Sequence, residues 1–178
     1  MATVDVREVL KPLRARYKED PDAARYTYRV RASGDSSDPR RATVESIGHP
    51  GASWSVSINE KIGGEGSLPT PGDLMLAAWA ACQTLAVQMA AALLRIQVRS
   101  VEVLAWGDVD HRGVMLMQGA ERVGSESMRC RVRILVEPGI DEALLEKLKL
   151  ASEATCGVTD NLMHQTPLET SFEIIEMP

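Results

Sequence analysis

The sequence has few cysteines, few aromatic residues and no long uncharged apolar run, and each scarcity excludes a class of protein. Three cysteines in 178 residues are too few for a disulfide-stabilised scaffold, so any disulfide is expected to be transient. Aromatic residues make up only 4% of the chain, so aliphatic and methionine side chains must fill the core. The most apolar stretch, 74–94, contains Gln83 and Gln88 and is predicted to be a core helix.

The chain also lacks a strong excess of charge of one sign. Twenty basic and twenty-five acidic side chains give a net charge of −5, which argues against broad attraction to nucleic acid or to an anionic membrane. Residues 1–13 carry charges between their apolar positions and so do not form the unbroken apolar stretch of a signal peptide. We therefore expect a cytoplasmic protein with small-molecule or protein partners, and neither nucleic acid nor a membrane among them.

The order of predicted elements indicates the fold class. The length suits one domain with a substantial core, which we place at 1–178. Helical spacing of apolar residues predicts helices over 6–19, 70–94 and 144–156. Strands are predicted at 26–31, 43–47, 53–58, 98–106, 114–118, 128–136 and 168–175, with a turn or loop at 33–40 and a loop at 59–71. This order does not alternate strictly, so we predict an α+β fold with mixed or antiparallel sheets packed on two central helices.

The second predicted helix has a clear start signal. Thr70 suits the N-cap, Pro71 the first helical position, and Asp73 supplies a carboxylate three residues after the cap. The helix then carries Cys82 about three turns from this start. The helix dipole decays within the first turn, so a nearby cation would have to stabilise a Cys82 thiolate.

The three cysteines differ in their predicted positions. Cys82 and Cys156 lie on the apolar faces of two predicted helices, and two such helices can bring their thiols within disulfide reach. Burial in a core explains the same positions equally well, because free cysteine is among the most buried residue types. Cys130 alternates with arginines along a predicted strand and is interpreted as a core residue.

Two other motifs favour ordinary loops over binding sites. Asp108, Asp110 and His111 follow a predicted strand, but no zinc-type spacing accompanies them, so we interpret them as a solvated turn. The glycines at 63, 64 and 66 lack the Gly-Lys-Ser/Thr ending of a phosphate-binding loop. We therefore predict neither a metal nor a cofactor.

One set of motifs resembles a known family. Gly63-Gly64 is followed by Pro-Thr-Pro-Gly-Asp-Leu-Met-Leu-Ala-Ala-Trp-Ala-Ala-Cys at 69–82, and Cys-Gly-Val stands at 156–158. Together with the turn at 107–110, these motifs resemble the OsmC/Ohr family of osmotically inducible and organic hydroperoxide resistance proteins. The similarity runs from about Tyr26 to the C-terminus, and residues 1–24 resemble a helical extension found in one subgroup.

The resemblance implies a quaternary structure and a reaction. It implies an intertwined homodimer with two long central helices, outer sheets and active sites at the subunit interface. It also implies a thiol-dependent peroxidase acting on organic hydroperoxides or hydrogen peroxide, in which Cys82 is the peroxidatic residue and Cys156 the resolving one. A dithiol reductant, lipoyl or thioredoxin-like, would then reduce the disulfide.

The chain departs from the family pattern near the helix start. The position of the family's catalytic glutamate is Gly72 here, and the adjacent Asp73 faces away from Cys82 on an ideal helix. We keep Asp73 as a site candidate, with N-capping as the competing role. Arg40 is our first candidate for the cation beside the thiolate, with Arg41 and Lys61 as alternatives.

Two alternative functions fit the same fold. The protein could bind a small apolar ligand in an interface pocket without catalysis. It could also be a redox-responsive dimer that forms a disulfide without turnover.

Overall fold

A computed structural model of the chain describes residues 4–176 as an α+β fold, in agreement with the predicted class. Its elements in chain order are α1 (Val6–Glu19), β1 (Val30–Asp35), β2 (Asp38–Ser46), β3 (Ser53–Ser57), α2 (Pro71–Leu94), β4 (Val98–Val109), β5 (Ser125–Val136), α3 (Glu142–Ala154) and α4 (Gly157–Met163). Short 3-10 turns occupy Pro21–Ala24 and Glu60–Ile62.

Both sheets are antiparallel. The first has the strand order β1-β2-β3 and the second is the β4-β5 hairpin. In the second hairpin Ala105 lies opposite Cys130 and Val101 opposite Ile134. Residues at every second position of β5 therefore point to the same face of this hairpin.

Helix α2 begins and ends at the residues that its sequence signals indicate. The Asp73 backbone N–H donates to the Thr70 hydroxyl at 3.2 Å, and the Thr70 N–H donates to the Asp73 carboxylate at 2.8 Å, which completes a capping box. The helix ends where Arg95 adopts a left-handed conformation, with φ 59°. By length and composition α2 could also cross a membrane, but its contacts with β4, α3 and α4 make it the central helix of the fold.

The buried core lies at the C-terminal half of α2. Ala90 and Ala91 of this helix pack with Ile96 and with Leu148 of α3. Partly buried side chains from the neighbouring elements surround this cluster: Leu94, Val98, Ile134, Val136, Ile140, Leu144 and Ala151. The core thus joins α2, the start of β4, the end of β5 and α3.

The strand predicted at 26–31 begins only at Val30, and the turn or loop predicted at 33–40 is confined to residues 36–37. The chain enters β1 only at Val30, and a tight turn at residues 36–37 joins it to β2. The Asp35 carboxylate accepts from the Ser37 N–H at 2.8 Å, which fixes this turn. Polar composition indicated a loop, whereas the polar residues belong to an exposed hairpin.

The predicted strands at 114–118 and 168–175 were also wrong. In the first, the Leu116 and Met117 N–H groups donate to the carbonyls of Gly113 and Arg112, so the backbone closes into turns. Residues 168–175 form no strand pairing within the described part of the chain. An apolar pattern alone cannot supply the partner that a strand needs.

The helix predicted at 144–156 ends two residues early, and a further helix follows it. α3 ends at Ala154, and α4 starts at Gly157. Cys156 is the N-cap residue of α4, with an extended backbone conformation. The prediction that Cys156 lies on the apolar face of the helix at 144–156 was therefore wrong.

Candidate active site

Cys82 and Cys156 come together where α4 packs on α2. The Trp79 Nε1 group of α2 donates to the Thr159 hydroxyl of α4 at 2.8 Å, which ties the two helices together. Cys156 is 2% exposed, whereas Cys82 is half-buried. The Cys82 thiol contributes a hydrogen bond to the Cys156 sulfur, so both sulfurs line one interior.

Hydrogen bonds to the Cys156 sulfur make this thiol more acidic than usual. Burial of the thiol raises its pKa, because a charged sulfur is poorly solvated in the interior. The Thr159 hydroxyl and N–H, the Cys82 thiol and the Val158 N–H outweigh that effect, so that the pKa of Cys156 is lowered. The four donors favour the thiolate, which is the reactive form of cysteine.

Cys130 is a third thiol in the same region. It is half-buried on β5, and burial raises its pKa. Negative charge on Cys156 raises the pKa of Cys130 further, which requires the two sulfurs to be close enough for an electrostatic interaction. The sequence interpretation of Cys130 as a core residue did not include this neighbour.

Arg40 belongs to a cluster of two arginines and two carboxylates. Its guanidinium donates to Asp38 at 2.8 and 3.1 Å and to Glu65 at 2.9 Å. Arg41 pairs with the same two carboxylates. Hydrogen bonds from the Arg40 side chain and N–H lower the pKa of Asp38. Strand β2 and the glycine-rich loop at 63–66 are joined by this cluster, which we call the arginine–carboxylate cluster.

The structure does not place Arg40 against the thiols of the same chain. The remaining Arg40 contact is a weak hydrogen bond to the Gly63 carbonyl, at 3.4 Å. None of the hydrogen bonds recorded between residues 4 and 176 joins Arg40 to Cys82. The alternative candidate Lys61 lies 4.0 Å from Glu60 and is exposed.

Asp73 is occupied at the helix start. Its carboxylate accepts from both the N–H and the hydroxyl of Thr70, each at 2.8 Å. This is the capping role that the sequence suggested for Asp73 as the alternative to chemistry. It leaves Asp73 as a residue that positions α2, and with it Cys82.

The sequence analysis did not identify three residues of the site: Glu65, Trp79 and Thr159. Thr159 stands three residues after Cys156, where a residue in the first turn of a helix can reach its cap. That spacing would have indicated Thr159 as a partner of Cys156 if a helix had been known to start at Gly157. Glu65 and Trp79 carried no comparable local signal, because their partners Arg40 and Thr159 are distant in the sequence.

The acidic residues that were interpreted as a solvated turn form ion pairs at the end of β4, and Asp108 is itself a residue of that strand. Asp108 accepts from Ser127 at 2.6 Å and from Arg129 at 2.9 Å, and Asp110 pairs with Arg112. Across residues 4–176, no three His, Cys, Asp or Glu side chains are grouped so as to hold a metal ion.

Comparisons with known proteins agree on one family. The sequence profile of the OsmC-like protein family matches residues 64–171, more than half of the chain. No curated protein sequence matches the chain.

Solved structures of the same kind have a similar fold. An organic hydroperoxide resistance protein OsmC from Legionella pneumophila is 20% identical, with a TM-score of 0.57 over 78% of this chain and 90% of that one. An organic hydroperoxide resistance protein from Elizabethkingia anophelis is 17% identical, with a TM-score of 0.59 over 80% and 91%. An OsmC-like protein from Mycoplasma pneumoniae is 13% identical, with a TM-score of 0.60 over 79% and 89%.

Proposed function

The chain belongs to the OsmC-like protein family, and from this premise we propose that it is a thiol peroxidase that reduces organic hydroperoxides or hydrogen peroxide. The observation that carries the proposal is the hydrogen bond between the Cys82 thiol and the Cys156 sulfur. Two adjacent thiols of unequal exposure suit a peroxidatic and a resolving role.

Cys82 is the residue that attacks the peroxide. It is half-buried, whereas Cys156 is almost fully enclosed, so an entering peroxide meets Cys82 first. The donors that favour the thiolate form of Cys156 suit its sulfur to accept the Cys82 proton as Cys82 attacks the terminal peroxide oxygen. The O–O bond breaks, an alcohol or water leaves, and Cys82 becomes a sulfenic acid.

Cys156 then closes the oxidative half of the cycle. Its sulfur attacks the Cys82 sulfenic acid, the S–O bond breaks, and water leaves as the disulfide forms. A dithiol reductant, lipoyl or thioredoxin-like, returns both thiols by exchange. Cysteines that cycle in this way need a reducing compartment, which for this protein we take to be the cytoplasm.

In this proposal the cation near the thiols is Arg40 of the arginine–carboxylate cluster. Arg40 makes no hydrogen bond to either thiol within the described residues of its own chain, so a homodimer in which the first sheet of one subunit covers the thiols of the other would supply it. The sheet and α2 both expose apolar side chains that such a dimer would bury: Val30, Ile47, Trp54, Met75, Leu85 and Met89.

The alternative function is ligand binding without turnover. It draws support from Gly72, which leaves the helix start without the family's glutamate, and from the apolar side chains exposed along α2. In that case the cysteines would only pack. The experiment below separates the two functions.

The test is consumption of tert-butyl hydroperoxide and of hydrogen peroxide in the presence of dihydrolipoamide or dithiothreitol. We expect catalytic consumption by the intact protein, none above the buffer rate by Cys82→Ser, and a single turnover by Cys156→Ser, with the Cys82 sulfenic acid trapped by dimedone. Ser36→Ala, in the turn between β1 and β2, is the control and should match the intact protein.

A second pair of variants tests the arginine. Arg40→Gln should lower kcat/KM about tenfold, the factor that corresponds to roughly 1.4 kcal/mol of thiolate stabilisation. Arg31→Gln on the neighbouring strand β1 removes a more exposed ion pair, with Glu45, and should leave kcat/KM unchanged. If the intact protein and both cysteine variants are equally inert, the peroxidase proposal fails and ligand binding remains.

A further inference from the structure

The helix that Cys156 caps, α4, is short and only partly covered. It has seven residues, Gly157–Met163, and a helix of this length is at best marginally stable on its own in water. Its apolar residues Leu162 and Met163 are exposed, so burial of apolar surface in the single chain stabilises its position only in part. The position of α4, and with it that of Cys156, therefore depends on specific contacts with α2.

One side-chain hydrogen bond joins α4 to another helix. The Trp79 Nε1 group donates to the Thr159 hydroxyl at 2.8 Å, and both side chains are partly buried. Within residues 4–176, no other side-chain hydrogen bond joins a residue of α4 to a different helix or strand. Partial burial protects this bond from competing water, so the bond restricts how α4 lies on α2.

Trp79 and Thr159 each lie one helical turn from a cysteine. Cys82 follows Trp79 by three residues on α2, about 4.5 Å along the axis and on the same face. Cys156 precedes Thr159 by three residues, and the Asp160 N–H donates to the Cys156 carbonyl at 3.1 Å, which closes the first turn of α4. The bond between Trp79 and Thr159 therefore joins the two segments that carry the thiols, one turn away from each thiol.

We propose that Trp79 is a positioning residue for the thiol pair, because its indole N–H binds the Thr159 hydroxyl and so keeps the Cys156 end of α4 against Cys82. The inference rests on the proposed function, in which Cys82 and Cys156 form a disulfide. Trp79 itself takes no part in the chemistry. It raises the effective concentration of one thiol at the other, because a pair that is already in place loses less conformational freedom when its bond forms.

This role requires the indole N–H as well as the bulk of the side chain. Phenylalanine could pack in the same place on α2, but it has no donor for the Thr159 hydroxyl. Trp106 on β4 is the matched comparison, because it is also partly buried. Its ring lies under the Arg131 guanidinium, 5.9 Å from it, and within residues 4–176 its N–H makes no hydrogen bond.

Equilibrium with glutathione tests the thiol pair without peroxide. Oxidised glutathione converts the two protein thiols to a disulfide and yields two molecules of reduced glutathione, so the equilibrium ratio gives the effective concentration of the pair. Non-reduced peptide maps identify the Cys82–Cys156 disulfide. We expect Trp79→Phe to lower the effective concentration about fivefold, which corresponds to about 1 kcal/mol, the usual net contribution of one hydrogen bond. Trp106→Phe should keep the value of the intact protein.

A double-mutant cycle separates the hydrogen bond from packing. In the Thr159→Val background the bond is already lost, so Trp79→Phe should have no further effect on the effective concentration. If circular dichroism shows that Trp79→Phe does not fold, Thr159→Val should show the fall, and Thr159→Ser, which keeps the acceptor hydroxyl, should not. An equal fall on Trp79→Phe in both backgrounds, or a fall in Thr159→Ser or Trp106→Phe as large as that in Trp79→Phe, would overturn the inference.

The glutathione equilibrium and peroxide consumption decide different claims. If the intact protein forms no Cys82–Cys156 disulfide with glutathione, or if Trp79→Phe forms it equally well, the inference is overturned. If the effective concentration changes as expected but the intact protein does not consume peroxide, the proposed peroxidase function fails, and the positioning role of Trp79 stands.

Discussion

At the scale of single residues, accessibility and acidity are divided between two neighbouring thiols. Cys156 has four hydrogen-bond donors around its sulfur and a lowered pKa, yet almost no exposed surface. Cys82 has the exposure that a peroxide needs. In the reaction that we propose, the Cys156 sulfur accepts the proton of the accessible Cys82 thiol, so that neither residue needs both properties.

Thr159→Val tests the origin of the Cys156 acidity. Loss of the Thr159 hydroxyl should move the pH midpoint of Cys156 alkylation by iodoacetamide upward, because this hydroxyl is the largest contribution that lowers the pKa. Mass spectrometry of the alkylated peptides measures the extent of Cys156 alkylation at each pH, and hence this midpoint. Thr155→Val is the matched control, since the Thr155 hydroxyl donates to the Ala151 carbonyl instead; an equal upward shift in both variants would contradict the assignment.

The same substitution should change the pH dependence of stability. Because the pKa of Cys156 is lower in the folded chain than in the unfolded one, its thiolate adds folding free energy at pH values above the unfolded pKa of about 8.5. This contribution is lost as the pH falls through the folded pKa. Urea unfolding of Thr159→Val should therefore show a smaller gain in stability between neutral and alkaline pH.

At the scale of elements, the start of α2 determines where Cys82 lies. The capping box fixes the first turn, and a rigid helix then carries Cys82 nine residues beyond Asp73 to its contact with α4. Asp73 therefore acts at a distance of about 13 Å along the helix axis. Loss of the capping box would make the first turn of α2 less ordered. Cys82 would then be positioned less precisely, although neither thiol is itself changed.

Substitutions in the capping box separate stability from chemistry. Thr70→Ala should lower the free energy of unfolding by about 1 kcal/mol, the usual cost of losing an N-cap side chain, as measured by urea denaturation. Asp73→Asn keeps one acceptor oxygen for the Thr70 N–H and should leave kcat nearly unchanged. Ser67→Ala, in the preceding loop, is the control, with a cost below about 0.5 kcal/mol. A sharp fall in kcat for a stable Asp73→Asn variant would instead give Asp73 the catalytic role first considered.

At the scale of the whole molecule, the single chain leaves much apolar surface uncovered. Leu168, Phe172 and Ile174 in the C-terminal segment are 93%, 88% and 92% exposed. Leu85 on the central helix is 60% exposed. Large apolar side chains left this exposed are typical of subunit interfaces, and a second copy of the chain is the partner that our proposed dimer supplies.

Sedimentation measures the proposed dimer directly. We expect the protein to sediment at twice its chain mass of 19.4 kDa, and Leu85→Glu to shift it towards the monomer, because a charge would be buried at the interface. Ser36→Glu, in an exposed hairpin turn, should leave the dimer intact. Peroxidase activity should fall together with dimer content if the partner subunit supplies Arg40; full activity in a monomeric Leu85→Glu variant would contradict that arrangement.

Features of the fold that depend on neighbouring residues were predicted correctly from the sequence, and features that depend on distant segments were not. The capping residues of α2 and the alternation along β5 are local signals, and both predictions were confirmed. The strands at 114–118 and 168–175 were wrong because apolar alternation shows which face a strand would bury but does not provide a neighbouring strand. The β1–β2 hairpin was missed because its polar residues resemble a loop.

For the site, the sequence by itself determined which thiols are available and which helix carries Cys82, because residue identity and helical periodicity are fixed within a few turns of chain. Only the tertiary structure decided that Cys156 caps α4, that Thr159 reaches its sulfur, that Cys130 joins the same region, and that Arg40 pairs with Glu65. Each of these depends on where distant segments cross, and that follows from the packing of the whole core and not from any short stretch of sequence.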